Sequence, residues 1–276
     1  MALPSNDLAR SVLALSRAAG DAIMKVYARA DVGATTKEDR SPLTEADLVS
    51  HHLLVAGLEG MSPHIPVLSE ESRTVPYETR RGWRRFWLID PLDGTKEFLK
   101  RNGEFTVNIA LIDDGRPVLG VVHAPVLGRS YWGFSGGGAF REEGDAVRPI
   151  TVARAPAGSE ATEIVASRSH AGAETEEFLQ RLSKDHRVNL QSIGSSLKLC
   201  LVAEGAAHLY PRFGPTMEWD TAAAQCVVEA AGGRVTNLED EPLRYNKPDL
   251  LNPFFVVAGP SSLDWQRYVS RATPPA

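Results

Sequence analysis

Two aspartates follow a buried-looking apolar run in residues 87–98, which read WLIDPLDGTKEF. A carboxylate taken out of water without a partner is costly, so it needs a cation, a shifted pKa or a place at the protein surface. Pro91 stiffens the backbone between Asp90 and Asp93, and Gly94 permits a sharp turn directly after them. The pattern therefore predicts an anionic pocket that is either a metal site or a tight turn.

Two more acidic clusters lie at comparable places in the chain. Glu70 and Glu71 (in SEES) follow a short apolar run, and Asp220 (in WDT) opens a helical pattern. Strand ends and helix starts are where α/β proteins place their sites. Oxygen ligands without His or Cys suit a hard cation, above all Mg²⁺, and an acid shared between two ions suits two-metal phosphoryl hydrolysis. The backbone N–H groups of Gly94 and Thr95 are candidates to receive phosphate oxygens.

Each cluster also has a purely structural interpretation. A Glu-Glu pair in a loop is most often solvated surface. Asp220 fits the N-cap of a helix, and Asp47, three residues after Thr44, fits a variant of the capping box. Taken one at a time, the clusters leave the choice between chemistry and local structure open.

Composition limits the class of protein. The 276 residues are 43% hydrophobic and 24% charged, with a formal net charge of −5. These values are ordinary for a globular protein and argue against nucleic-acid binding through a basic face. Two cysteines, Cys200 and Cys226, do not support a disulfide framework. Because the chain lacks a signal-peptide pattern and any apolar run near the roughly 18 residues of a membrane helix, we expect a soluble intracellular protein.

Hydrophobic periodicity predicts the elements that must position these residues. Helices are expected from about Leu8 to Tyr27 and from Thr44 onward. Strands are expected near 65–68 and 86–90, and the segments FTVNIALI and PVLGVVHAP flank a turn at 113–116 as an antiparallel hairpin.

The pattern of predicted elements changes in the second half of the chain. After about residue 156, strands and helices alternate regularly, as in EIVAS, SSLKLCLVAEG and FFVVAG. Such alternation predicts sheets covered by helices. The sequence therefore indicates an α/β fold with α+β layering, in two subdomains, 1–155 and 156–276, packed as one compact unit.

Together the acidic clusters resemble a known family. SEES, WLIDPLDGTKEF and EWDTAAAQCVVEAAGG resemble, in order and spacing, the signature elements of the inositol monophosphatase superfamily of Mg²⁺-dependent, lithium-sensitive phosphatases. KRNGEFTVNIALI, SRSH, SIGSSLKLCLVAEG and LYPRFGPTMEWDTAA resemble in particular its bacterial 3′(2′),5′-bisphosphate nucleotidase branch. The resemblance covers nearly the whole chain and implies an αβαβα sandwich of two packed subdomains. One departure is Ala224, where that branch usually has Gly, and it bears on fine specificity.

The resemblance implies roles for individual residues. The implied metal ligands are Glu70, Asp90, Asp93 and Asp220 through their side chains and Leu92 through its backbone carbonyl. Thr95 and Asp47 would orient the attacking water and accept its proton, and Glu71 would support a ligand without touching the metal. The implied substrate contacts are Glu70, Leu92, Asp93, Gly94, Thr95, Ser195, Lys198, Asp220 and Arg168, with Lys198 and Arg168 as candidates for a 5′-phosphate.

The resemblance also implies a reaction. It is direct in-line attack of water on the 3′-phosphate of adenosine 3′,5′-bisphosphate, giving AMP and phosphate, with the sulfated analogue as a second substrate in sulfur metabolism. The implied cofactor is Mg²⁺, roughly two or three ions per site. The expected partner is this small nucleotide bisphosphate, with no nucleic acid and no integral membrane segment. A cytoplasmic location is expected, while peripheral contact with the inner face of the cytoplasmic membrane, and a monomer or homodimer, are left open.

Two alternatives are kept. One is an inositol or other sugar-phosphate monoesterase on the same scaffold, and the other is a non-catalytic metal- or phosphate-binding regulator. The stretches EFTVNIALI and LYPRFGPTMEWD favour the nucleotide branch. The pairing of Asp47 with Thr95 favours an enzyme, because a binding protein has no need to activate water.

Overall fold

Seven helices and fourteen strands make up the part of the chain that the structure, a computed structural model, describes: residues 4–33, 35–36, 42–72, 75–158, 160–167, 172–259 and 263–269. The helices are α1 (Asn6–Tyr27), α2 (Glu45–Met61), α3 (Tyr77–Arg80), α4 (Thr95–Leu99), α5 (Ala173–Leu182), α6 (Leu197–Ala203) and α7 (Glu218–Ala230), with a 3₁₀ turn at Trp265–Tyr268.

The strands form two large sheets and one small pair. The pair is β1 (Thr35–Thr36) with β2 (Pro42–Leu43). The seven-stranded sheet consists, in spatial order, of β3 (Val67–Ser69), β4 (Arg85–Asp93), β5 (Thr106–Asp113), β6 (Arg116–Ala124), β7 (Arg129–Phe134), β8 (Gly138–Glu143) and β9 (Ala146–Ile150). The five-stranded sheet contains β10 (Thr162–Ser167), β11 (Val188–Ile193), β12 (Leu209–Arg212), β13 (Arg234–Asn237) and β14 (Phe255–Ala258), in the order β11-β10-β12-β14-β13.

The two opening helices begin where the sequence predicts. Ser5 caps α1, its side chain accepting the Leu8 N–H at 3.2 Å. Helix α2 follows Thr44, whose N–H donates to Asp47 Oδ2 at 2.7 Å in the reciprocal pattern of a capping box. Both helix predictions are confirmed, because their start signals are local.

Strand β4 lies between β3 and β5 in the seven-stranded sheet and is buried over most of its length. Phe86 and Leu88 join the apolar cluster on one face of the seven-stranded sheet, and Trp87 and Ile89 join the cluster on the other face. All four are at most 1% exposed. The predicted hairpin is β5–β6, which pairs antiparallel and turns between Asp113 and Arg116. A continuous apolar run here marks a strand covered on both faces.

Five layers alternate through the fold. Helices α1 and α2 pack on the outer face of the seven-stranded sheet. Helices α6 and α7 lie between the two sheets, and α5 with the 3₁₀ turn covers the far face of the five-stranded sheet. The predicted αβαβα order is confirmed, whereas the subdomain boundary at 155/156 stays a prediction.

Close packing of α7 on the first sheet depends on glycine. A Cβ at Gly120 of β6 would lie 2.1 Å from the Ala223 carbonyl oxygen of α7. Only a residue without a side chain permits this approach. Helix α7 is thereby held against the end of the sheet that carries Asp90 and Asp93. Among the helices within the described ranges, none is both long and apolar enough to cross a membrane.

Candidate active site

Strand β4 departs from regular pairing where its two aspartates lie. Asp90 pairs with Asn108 of β5, but Asp93 pairs with Thr106, so β4 has one more residue than its partner between these points. Such a β-bulge re-aims side chains. Within it, the Leu92 N–H donates to Asp90 Oδ1 at 3.0 Å. The bulge places both carboxylates at the same end of the strand.

Asp220 joins the two aspartates from the first turn of α7. One carboxylate oxygen from each of Asp90, Asp93 and Asp220 lies within 4.8 Å of the other two. Asp220 Oδ2 also accepts the Met217 N–H at 2.9 Å, so the residue stabilises the helix start as well. Glu70, directly after β3, is hydrogen-bonded to the side chain of Asp90. The three acidic clusters of the sequence therefore meet at one place.

Burial and mutual repulsion act together on these carboxyls. Burial raises the pKa of Asp90 well above its usual range, and the charges of Glu70, Asp93 and Asp220 raise it further. The pKa of Asp220 is likewise raised, by burial first and then by Asp93 and Glu70. A cation among them would reverse this trend, because positive charge favours the ionised carboxylate. An all-oxygen donor set of this kind fits a hard divalent cation.

Asp93 is fixed by hydrogen bonds that all reach its Oδ2 atom. The Ser196 N–H and hydroxyl lie 2.6 and 2.7 Å away, and Asn108 Nδ2 and Thr106 Oγ1 lie 3.4 and 3.5 Å away. The Ser196 hydroxyl is also 2.9 Å from the backbone carbonyl of Asp220. Ser196, at the start of α6, thus links the β4 and α7 parts of the cluster.

Asp47 and Thr95 form the expected pair beside the acidic cluster. The Thr95 hydroxyl donates to Asp47 Oδ1 at 3.3 Å. The other carboxylate oxygen, Oδ2, accepts the N–H and hydroxyl of Thr44 at 2.7 and 2.6 Å. Asp47 is 1% exposed. It therefore fills both roles considered from the sequence, the helix cap and the partner of Thr95.

Gly94 makes the turn that brings Thr95 to this position. Its φ of +94° lies in the left-handed region that favours glycine. An added Cβ would lie 3.2 Å from the Glu104 carbonyl oxygen and 3.4 Å from Ser195 Cβ. The sharp turn expected after the two aspartates is confirmed.

A cleft of about 400 Å³ opens over the carboxylate cluster, and two buried cationic side chains, Lys198 and Arg212, line it. Lys198 is 6% exposed, and its Nζ donates to the Ser195 carbonyl at 2.6 Å and lies 5.5 Å from the Tyr210 ring centre. Burial lowers its pKa to about 8, with Asp93 acting in the opposite direction and Arg212 adding to the decrease. Arg212 is 8% exposed. The cleft therefore combines a carboxylate cluster with buried positive charge.

Two buried polar atoms in the cleft wall have no hydrogen-bond partner among the described residues. Arg212 donates from Nη2 to the Pro215 carbonyl at 2.8 Å, but its Nε has no hydrogen-bond partner among the described residues. The same holds for the buried hydroxyl of Ser195, whose φ is +48°. Buried polar groups are normally paired, and these two atoms line the cleft, where they are available to a polar ligand.

The family follows from comparison with known proteins. The model of the inositol monophosphatase family matches residues 6–266. The chain belongs to the inositol monophosphatase family. Among curated relatives, the 3′(2′),5′-bisphosphate nucleotidase CysQ of Escherichia coli O157:H7 is 52% identical over 251 residues, which cover 90% of this chain and 98% of that protein.

Solved structures of the family share the fold. The crystal structure of CysQ from Bacteroides thetaiotaomicron, described as a bacterial member of the inositol monophosphatase family, is 44% identical with a TM-score of 0.82. The match covers 92% of this chain and 97% of that one. The extragenic suppressor protein SuhB from Bartonella henselae has a TM-score of 0.81 at 22% identity, covering 97% and 100% of the two chains, and shows the fold alone.

The structure places most of the predicted site residues together. The following predicted residues line the cleft: Glu70, Asp90, Leu92, Asp93, Gly94, Thr95, Ser195, Lys198 and Asp220. Glu71 lies beside the cluster, where its N–H donates to Ser69 Oγ at 3.2 Å. Arg168 lies outside the described residues. Ala224 is 1% exposed and packs in the apolar cluster between the sheets, so its methyl group faces the core.

Sequence reasoning missed three polar residues of the site. Arg212 ends β12 beside Lys198, and Ser196 and Asn108 hold Asp93. Two of them have an available signal, a polar residue with apolar neighbours on both sides: LYPRF for Arg212 and FTVNIALI for Asn108. Ser196 has none, because it follows another serine in SSLKLC. A polar group in such a run is buried and needs a partner.

Proposed function

We propose that the chain is a phosphoric monoester hydrolase, a 3′(2′),5′-bisphosphate nucleotidase. It converts adenosine 3′,5′-bisphosphate to AMP and phosphate and accepts the sulfated analogue as a second substrate, in the recycling of these nucleotides in sulfur metabolism. The observation that carries the proposal is the cleft that joins a carboxylate cluster to two buried cations. A substrate with two separate phosphates matches both ends.

The carboxylate end would hold divalent cations. The proposed ligands are Glu70, Asp90, Asp93 and Asp220 through their side chains and Leu92 through its carbonyl, for roughly two or three Mg²⁺ ions. When bound, Mg²⁺ supplies Lewis-acid polarisation of the ester and of the attacking water. The convergence of Asp90, Asp93 and Asp220 within 4.8 Å supports this assignment, because a cation would offset the burial and repulsion that raise the pKa values of Asp90 and Asp220. Glu71, next to Glu70, supports the position of that ligand.

Asp47 and Thr95 would orient the attacking water molecule and accept its proton. The Thr95 hydroxyl gives its hydrogen to Asp47, so its oxygen lone pair is directed to accept a hydrogen from a water molecule in the cleft. This orients the water for in-line attack on phosphorus, and Asp47 receives the proton through Thr95. A bond forms between the water oxygen and phosphorus as the bond to the ribose 3′-oxygen breaks. The 3′-oxygen takes up a proton from solvent and leaves as the hydroxyl of AMP, and Asp47 returns its proton to solvent. Gly94 keeps Thr95 in this position.

The cationic end would hold the 5′-phosphate. Lys198 and Arg212 supply two positive charges within the cleft, and Ser195 Oγ and Arg212 Nε supply donors without partners among the described residues. A planar guanidinium matches phosphate oxygens well. The contact of Arg168 with this phosphate stays a sequence prediction, because that residue lies outside the described ranges.

The two alternatives differ from this proposal in what the cleft must hold. An inositol monophosphate carries one phosphate and offers no second phosphate for Lys198 and Arg212 to bind. A regulator that only binds phosphate has no use for the pairing of Thr95 with Asp47. Both observations favour hydrolysis of a bisphosphate.

The deciding experiment compares two substrates. Phosphate release from adenosine 3′,5′-bisphosphate and from inositol 1-phosphate is followed with Mg²⁺, and again with EDTA or Li⁺. The proposal expects rapid Mg²⁺-dependent, Li⁺-inhibited release from the nucleotide. Preference for the inositol ester would show that the proposed substrate is wrong. Release from neither substrate would show that the proposed phosphatase activity is wrong.

We further propose that the protein works in the cytoplasm on this small substrate. Both cysteines, Cys200 and Cys226, are buried and free, as is usual in a reducing compartment. The negative net charge argues against nucleic acid as the partner.

A further inference from the structure

The segment 246–252 is hydrogen-bonded to the start of α7, the helix that carries Asp220. Asn252, which is 5% exposed, donates from its side-chain amide to the Met217 carbonyl at 2.8 Å and to Thr221 Oγ1 at 3.0 Å. Its backbone N–H donates to the Thr216 carbonyl at 2.8 Å. These acceptors lie on both sides of Asp220 in the chain. We call the segment 246–252 the α7 clamp.

Glu218 makes the second contact between the α7 clamp and the helix. It is fully buried, with 0% exposure. Its Oε2 accepts the Asn246 N–H at 2.6 Å, and its Oε1 accepts the Lys247 N–H at 3.0 Å and Lys247 Nζ at 2.6 Å. Its own N–H donates to the Leu250 carbonyl at 2.9 Å. The first residue of α7 is thus bonded to the clamp at both its backbone and its side chain.

Arg80 holds the α7 clamp from the opposite side. Its guanidinium donates to Asn246 Oδ1 at 2.9 Å and to the carbonyls of Lys247 and Pro248 at 2.6 and 2.9 Å. Asn246 Nδ2 returns a bond to the Arg80 carbonyl at 2.7 Å. At the start of the clamp, the N–H groups of Asn246 and Lys247 therefore face Glu218, while the carbonyls of Lys247 and Pro248 face Arg80. Fixed from both sides, the clamp is a rigid support.

The cluster needs such a support because its members repel one another. Asp220 lies within 4.8 Å of two other carboxylates, and repulsion favours its movement away from them. One bond that opposes this movement is the Met217 N–H to Asp220 Oδ2. Asn252 donates a hydrogen bond to the carbonyl of Met217. The clamp therefore bears on Asp220 through Met217, without touching the cleft.

We propose that the α7 clamp, acting through Glu218 and Asn252, positions Asp220 for divalent cations and so sets the affinity of the site for metal. The inference rests on the proposed role of Asp220 as a ligand. Partners of this kind, which orient a ligand without contacting the metal, change metal affinity by about 10–100-fold when removed. Glu218, Asn252 and Lys247 are positioning residues, and none of them lines the cleft.

The test is direct binding of Mn²⁺ to the full-length chain, measured by electron paramagnetic resonance of the free ion in the absence of substrate. Three variants differ in the charge they remove: Glu218→Gln loses a negative charge, Lys247→Met loses a positive charge and Asn252→Leu loses none. Weaker binding by about tenfold or more is expected in Glu218→Gln and Asn252→Leu, with a smaller loss in Lys247→Met. The matched control is Glu229→Gln, on the same helix but about three turns further along.

The pattern of results separates positioning from other causes. Through-space electrostatics alone would tighten Mn²⁺ binding in Lys247→Met and weaken it in Glu218→Gln, and this opposite pattern would overturn the proposal. Wild-type Mn²⁺ affinity in Lys247→Met and Asn252→Leu would also overturn it. Lys247 is partly exposed, so its variant keeps the proposal testable if a buried variant does not fold.

A second variant separates this inference from the proposed function. Asp220→Asn removes the ligand itself and is expected to weaken Mn²⁺ binding more than any clamp variant. If Asp220→Asn binds Mn²⁺ like the wild type, the proposed metal site is wrong. If it loses the ion while the clamp variants do not, only the positioning role is wrong.

Discussion

Replacing Asp47 by Asn would separate the two roles that this residue fills. Asp47 Oδ2 accepts two hydrogen bonds from Thr44 at the start of α2, and Oδ1 accepts the Thr95 hydroxyl. An Asn side chain offers one acceptor oxygen and a donating amide group. It therefore cannot satisfy both sides as the carboxylate does, and it cannot take up a proton from water.

The two losses differ in size. The structural part is that of a helix cap, about 0.5–2 kcal/mol of unfolding free energy. A typical domain has about 5–15 kcal/mol in total, so Asp47→Asn should remain folded at room temperature. Loss of a general base costs about 10²–10⁴-fold in rate, which corresponds to about 2.7–5.4 kcal/mol of activation free energy. The effect on turnover should therefore exceed the effect on stability.

The assay measures kcat for phosphate release from adenosine 3′,5′-bisphosphate at saturating Mg²⁺, together with the thermal unfolding midpoint. Thr44→Ala is the control, because it weakens the same cap and leaves the Asp47–Thr95 bond in place. We expect both variants to unfold at lower temperature and only Asp47→Asn to lose turnover. A kcat for Asp47→Asn within about tenfold of wild type would refute the assigned base. An equal loss in Thr44→Ala would assign the effect to helix structure.

Two further perturbations test the cationic end of the cleft and the turn. Lys198→Met should raise KM for the bisphosphate by about tenfold or more, from the ~1.5–3 kcal/mol of a charged hydrogen bond, without changing KM for inositol 1-phosphate. An equal change for both substrates would count against a 5′-phosphate contact. Because the pKa of Lys198 is lowered to about 8, its charge is present below that pH and lost above it. The wild-type kcat/KM for the bisphosphate should therefore fall above about pH 8 in a step that Lys198→Met lacks, and persistence of the step in the variant would contradict this origin. Gly94→Ala places a Cβ at φ +94° and 3.2 Å from the Glu104 carbonyl oxygen, so unfolding free energy should drop by about 1–2 kcal/mol and kcat should fall as Thr95 shifts. An unchanged unfolding midpoint would show that the turn tolerates a side chain.

Local signals in the sequence predict much of the site. The caps of α1 and α2, the run that forms β4 and the turn at Gly94 are each determined by residues within a few positions of one another. The capping-box interpretation of Asp47 is confirmed by its contacts with Thr44, and its hydrogen bond with Thr95 is compatible with the catalytic role, which stays a prediction. The structural and catalytic interpretations are compatible, because the two carboxylate oxygens of Asp47 bind different partners.

Long-range contacts limit what the sequence alone can predict. Arg212 and Lys198 meet in the cleft only because β12 and α6 pack on one another, and neither segment shows this by itself. Strand β9 is also hard to foresee, because Ala146–Ile150 exposes four of its five residues and has no apolar alternation. The α7 clamp is held by hydrogen bonds to residues about 30 or more positions away in the chain, such as the bond between Asn246 and Glu218. Contacts of this kind produce no periodic pattern in the sequence.

The central claim is that the carboxylate cluster binds the cations that make this chain a phosphatase. The most direct measurement is phosphate release from adenosine 3′,5′-bisphosphate by the wild type and by Asp90→Asn, each over a range of Mg²⁺ concentrations and after EDTA. We expect release by the wild type to rise with Mg²⁺ and to stop with EDTA, and release by Asp90→Asn to be lower by orders of magnitude in a folded protein. Equal release by the two proteins, or release that continues in EDTA, would contradict it.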